Sequence, residues 1–167
     1  SWYDFTKAIF ELSKADCEVL PIKTEAYPTP ARRPPFSVMD KTKIKRTLQT
    51  LLRSIETKNI DSLLFTMAPS GKIELIVPNT DITYTVDEFV NFHTEWFKDT
   101  TWTMETKILN IEPGIYIGSA TTEAIYREPN RDGKPYFNHM IVTYVLEKGE
   151  DDKWYVVKDH ASSLKKS

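Results

Sequence analysis

Histidine is the side chain best suited to moving a proton near neutral pH, and this chain has three, at positions 93, 139 and 160. Their spacing lacks the paired pattern of a helical or strand ligand set, so no metal is expected. His93 falls among Val86, Phe89, Val90, Trp96 and Phe97 on the apolar side of a helical pattern, which should aim it at a sheet. His160 belongs to the closing stretch KWYVVKDHASS, in phase with Trp154 and Val156. Side chains alternate along a strand, so Asp159 should point to the opposite face and the two should not form a dyad. His160 and His93 are therefore the catalytic candidates, each with a competing assignment as a histidine held by a neighbouring backbone group. Trp96, Trp102 and Tyr84 are placed to wall a ligand pocket with His93 and His160, or else to be plain core. His139 precedes an apolar run next to a polar loop and is expected at a sheet end without a role.

Other signals exclude chemistry. The five glycines, at 71, 114, 118, 133 and 149, form no phosphate-cradling cluster, so neither NADPH nor another cofactor is expected. Cys17 is the single cysteine and cannot close an internal disulfide, which suits a reducing, cytoplasmic compartment. Twenty-two basic against 24 acidic residues leave a formal charge of −2, unlike a nucleic-acid polycation. No apolar run approaches the roughly 18 to 20 residues that span a bilayer. The chain opens at Ser1 with neither an initiator Met nor a signal-peptide pattern, which fits a processed or trimmed product.

The elements that must position these residues follow from periodicity. Phe5, Ile9 and Leu12 predict an amphipathic helix over 2–13, and Cys17 to Ile22 reads as a short strand. Pro28, Pro30, Pro34 and Pro35 then exclude helix and central strand, leaving an extended arm. Ile44, Leu48, Leu51, Leu52 and Ile55 predict a long helix from Lys41, followed by a short one capped by Asp61. KIELIV and DITY predict a hairpin, and Thr85 with Glu88 forms a capping box for the helix carrying His93. Four antiparallel strands complete the chain, separated by EPG at 112–114, EPNRDGKP at 128–135 and KGEDD at 148–152. This order predicts an α+β layer, an antiparallel sheet with three helices on one face and an N-terminal helix, strand and proline-rich arm in front. HMIVTYVL at 139–146 is apolar on both faces, so the outer face also needs a cover, and a homodimer through the sheet is expected.

Two resemblances divide the chain into 1–44 and 45–167. SWYDFTKAIFEL, VLPIKTEAYPTPARRP and FSVMDKTKIK resemble the C-terminal substrate-lobe segment of dTDP-4-dehydrorhamnose reductase. That resemblance implies a sugar-nucleotide surface with Trp2, Arg32 and Arg33 as remnants, while the catalytic apparatus of the family is missing. Tyr3 and Lys7 have the spacing of its acid and lysine, but their flanks match the substrate-lobe helix instead. From about Lys45 onward, ETKNIDSLLFTM, the helix ending in EWF and the strand KWYVVKDHASS resemble the SnoaL-like branch of the nuclear transport factor 2-like superfamily. This implies a cone-shaped fold with an apolar pocket for a hydrophobic small molecule, or a non-catalytic assembly module on the same scaffold; a reductase fragment is the distant alternative. Steroid-type isomerisation is unsupported, because the helix over 42–57 has no tyrosine and KIELIV offers only Glu74 as a base.

Overall fold

In the computed structural model, the described residues are 2–14, 16–23, 26, 40–78 and 82–167. Chain contacts divide the protein into two compact units, Ser1–Ser37 and Val38–Ser167. The first unit contains helix α1, Trp2–Ser13, with Ile9 and Leu12 exposed. The expected strand at Cys17–Ile22 is absent, because no chain pairs with it among the described residues. The proline arm, with Arg32 and Arg33, lies outside the described residues.

The second unit runs α2 (Thr42–Glu56), α3 (Ile60–Leu64), β1 (Lys72–Ile76), β2 (Thr83–Thr85), α4 (Val86–Lys98), β3 (Thr103–Glu112), β4 (Ile117–Arg131), β5 (Lys134–Lys148) and β6 (Trp154–Lys166). One six-stranded sheet has the order β2-β1-β6-β5-β4-β3. All pairs are antiparallel except β1 with β6, so the sheet is mixed and the meander is extended by the hairpin at its β6 edge. The sheet and helices form the α+β layer that the periodicity predicts.

Helix α2 buries Ile44, Leu48, Leu51, Leu52 and Ile55, the residues that recur at helical spacing. Ile44 packs where β4 has no side chain: a Cβ on Gly118 would come within 2.5 Å of its Cδ1. The N-cap of helix α3 lies two residues before Asp61, because Asn59 Oδ1 accepts the Ser62 N–H at 2.9 Å and so caps the helix itself. The capping box of α4 is complete, with the Thr85 hydroxyl accepting the Glu88 N–H and the Glu88 carboxylate accepting the Thr85 N–H. The segment EPNRDGKP is mostly strand. Asp132 and Gly133, at φ 54° and 86°, make a two-residue turn whose twist matches the strands, so pairing resumes at Arg131 with Lys134.

Candidate functional site

Between α4 and the inner face of the sheet lies a cavity of about 290 Å³. Its floor follows from strand register. Inward residues of β4, β5 and β6 stand in rows: Tyr126, Asn138 and Lys166; then Ala124, Met140 and Ser163; then Thr122, Val142 and Ala161; then Ala120, Tyr144 and Asp159. The middle rows are apolar or small, and Ala124 and Ala161 leave the volume that larger side chains would fill. Phe92, His93 and Trp96 of α4 and Leu52 and Ile55 of α2 close it from the helix side.

Two bulges in β6 decide which polar groups look inward. Val156 pairs with Leu146 and Lys158 with Val145, so Val157 is an extra residue that reverses the alternation. Trp154 and Val156 are buried, then Asp159 and Ala161 are buried, and His160 is exposed on the outer face. The expected placement of His160 and Asp159 is thus inverted, since simple alternation carries no allowance for a bulge. A second extra residue, Leu164, lies between the pairs Met140 with Ser163 and His139 with Lys165, and it brings Lys166 to the cavity.

Asp159 is 5% exposed, and burial pushes its carboxyl pKa up to about 7. Its cross-strand partner Tyr144 is buried as well, and burial, together with the Asp159 charge, raises its phenol well above 10. Near pH 7 the pair therefore offers a phenol O–H and a carboxyl group that exchanges its proton, inside an apolar cavity. His93 completes the polar set. It is 2% exposed and enclosed by Phe89, Phe92, Trp96 and Phe97, and burial lowers its pKa to about 4. Its Nδ1 lies 2.8 Å from the Phe89 carbonyl oxygen. A carbonyl only accepts, so Nδ1 carries the proton and the neutral ring keeps Nε2 as an acceptor.

Trp96 lines the cavity and is backed by Trp102, with ring centroids 4.4 Å apart and planes 13° apart. Trp102 itself is fully buried behind that wall, with the Lys58 ammonium 3.7 Å from its ring centroid. Tyr84 is 61% exposed and does not line the cavity, because it sits on β2, at the end of the sheet opposite β3. His139 lies within β5, away from the cavity lining, and its Nε2 is 2.8 Å from Glu123 Oε1. Of the five pocket candidates, His93 and Trp96 meet at the cavity, Trp102 supports it from behind, and Tyr84 and His160 are elsewhere. Glu74 is paired with Lys158 at 3.0 Å and also does not line the cavity. Asp159 and Tyr144 were missed by sequence reading.

The hairpin end is polar too. Tyr126 donates to Glu128 Oε1 at 2.5 Å, and Arg131 Nε donates to Glu128 Oε2 at 2.8 Å while its Nη2 binds the other oxygen. Arg131 also lies over the Tyr136 ring, 3.5 Å from its centroid. Asn138 Oδ1 is buried at this end of the cavity with no hydrogen-bond partner among the described residues.

Comparison with known proteins separates the two ends of the chain. A family model for the RmlD substrate binding domain matches residues 1–64. No curated protein matches the chain. Among solved structures, a ketosteroid isomerase-like protein from Erwinia carotovora atroseptica is similar with a TM-score of 0.65 at 15% identity, covering 74% of this chain and 95% of that one. A nuclear transport factor 2-like superfamily protein from Salmonella enterica serovar Typhimurium gives 0.64 at 17% identity, covering 76% and 92%. A domain named after the association domain of calcium/calmodulin-dependent protein kinase type II, from Thiobacillus denitrificans, gives 0.61 at 14% identity, covering 72% and 94%. The fold is that of nuclear transport factor 2-like proteins. The family match at the N-terminal side extends through α2 and α3, whose side chains pack the cone.

Proposed function

We propose that the second unit binds a hydrophobic small molecule in the cavity between α4 and the sheet, with Asp159, Tyr144 and His93 meeting its polar group. The carrying observation is a buried carboxyl that faces open volume and has no hydrogen-bond partner among the described residues: Asp159 is 5% exposed, lines the 290 Å³ cavity, and is raised to about 7 by burial. A buried polar group without a partner costs stability. Its retention beside an apolar space favours a ligand that supplies the missing hydrogen bond. Protonated Asp159 and Tyr144 can donate to one carbonyl or hydroxyl oxygen, and neutral His93 can accept a hydrogen bond from the same molecule. The chemistry within reach is proton transfer on an apolar substrate; the reaction itself stays open. A filled cone would favour the assembly reading, and the open cavity favours ligand binding. The formal charge of −2 and the lone exposed Cys17 go with a partner set free of nucleic acid and membrane and with a reducing, cytoplasmic setting.

N-phenyl-1-naphthylamine, a neutral apolar fluorophore, tests the reading. One saturable site per chain is expected, lost in Ala161→Phe, which fills the cavity, while the variant still unfolds cooperatively. Absence of saturable binding to the unmodified protein would overturn the ligand reading in favour of assembly.

A further inference from the structure

The cavity is polar at both ends and apolar between them, and its two ends differ in charge. At one end are Tyr144 and Asp159, the latter the one carboxyl among the described lining residues. At the other end the charged lining groups are Arg131 and Lys166, both cationic. Asn138 and Tyr144 are six positions apart on β5, a distance of roughly 20 Å along an extended strand. We infer that this site, if it holds a ligand as proposed above, takes an elongated amphipathic anion whose carboxylate or similar acid group sits between Arg131 and Lys166, with the apolar body running over Ala124, Met140 and Val142.

Three features of the hairpin end support an anion there. First, Arg131 is pre-positioned. Glu128 takes two of its N–H donors and Tyr136 lies beneath the guanidinium plane, which holds the fork in place. Glu128 is itself saturated by Arg131 and Tyr126, its side chain is 13% exposed, and it does not line the cavity, so it orients the arginine without occupying the ligand's place. Second, Lys166 reaches the cavity through the bulge at Leu164; with regular alternation it would face away. Third, Lys166 forms no ion pair among the described residues and stands opposite Asn138 on the neighbouring strand, at the cavity end where Arg131 also lines the wall. An ammonium ligand would meet Lys166 and an arginine whose partner carboxylate is already taken, and a neutral one would leave the Lys166 charge unmatched.

Displacement of bound N-phenyl-1-naphthylamine by decanoate, decan-1-ol and decylamine, which share one tail, tests this. Decanoate is expected to compete at least tenfold better than decanol, with decylamine weakest, and the decanoate advantage should shrink as salt rises. Lys166→Gln should cut decanoate affinity about threefold to tenfold and leave decanol unchanged. Arg131→Gln should do the same; because it also strips Glu128 of its partner, Glu128→Gln serves as the second variant and should retain the preference for decanoate. Equal competition by acid and alcohol, or a preference for the amine, would overturn the inference while leaving the pocket reading intact. If the fluorophore itself fails to bind the unmodified protein, the pocket reading and this inference fall together.

Discussion

At the scale of single residues, Asp159 and His93 impose opposite pH dependences. The Asp159 pKa rises from 3.8 unfolded to about 7 folded, so its contribution to stability is fully present below pH 3.8 and is lost as pH rises to about 7. The His93 pKa falls from 6.5 to about 4, so its contribution is present above pH 6.5 and is lost as pH falls towards 4. Each slope is about 1.4 kcal/mol per pH unit, and between about pH 4 and 6.5 the two cancel. Asp159→Asn should expose the histidine slope, becoming less stable relative to wild type as pH falls from 6.5 to 4, and should gain about 2 kcal/mol, roughly 5 °C in Tm, at pH 8. His93→Gln should expose the aspartate slope and lose stability from pH 4 to 7. Thermal melts across this range, taken as differences from wild type, check both; flat difference curves would mean that neither group titrates inside the core. Only half of this pair was legible in the sequence. His93 stands in an apolar helical stripe whose period places it inside, whereas Asp159 sits beside a histidine on a strand, and a strand read without its partner gives no sign of an extra residue.

Elements explain what was legible and what was not. Helix α4 could be read because its cap and its stripe are local, and Thr85, Glu88, Phe89 and His93 are neighbours within two turns. The sheet could be counted because glycine and proline mark its turns, as Gly133 does at φ 86°. Bulges are set by the partner strand, and the two in β6 choose the inward side of Asp159 and Lys166. The phenol was sought on α2 and is supplied by β5. Length changes in β6 test this directly. Deleting Val157 removes the extra residue and keeps Asp159 inward, so the chain should stay folded, with a loss of about 1–2 kcal/mol for the altered twist and the displaced β1 pairing. Inserting one alanine between Lys158 and Asp159 sends Asp159 and Ala161 outward and His160 and Ser162 inward, which should abolish cooperative unfolding. Denaturant melts followed by tryptophan fluorescence separate the two; similar tolerance of both changes would refute the bulge-controlled phase.

For the whole molecule, the outer face of the sheet presents an apolar surface. Helices α2, α3 and α4 cover the inner face, while Ile125, Phe137, Ile141 and Val145 stand half-buried on the other and Leu164 is 61% exposed beside them. These residues lie on three adjacent strands, so they form one continuous apolar surface of the kind that soluble monomers seldom leave bare. We propose that a second copy covers it, and light scattering of the full chain should give a dimer. The pair of His139 and Glu123 lies on this same surface, at 2.8 Å, so charge at the centre of the interface can be matched within each copy. The N-terminal unit is the competitor for the surface, and a chain limited to residues 41–167 distinguishes the two covers. The side chains of α2, α3 and α4 already pack on the sheet, so this shorter chain should melt cooperatively by itself and should dimerise as the full chain does. A monomeric full chain with a dimeric short form would make the N-terminal unit the cover instead. Loss of cooperative melting in the short form would show that residues 1–40 contribute to the core, and the match of one family model across residues 1–64 would then reflect a single folding unit that runs through α2 and α3.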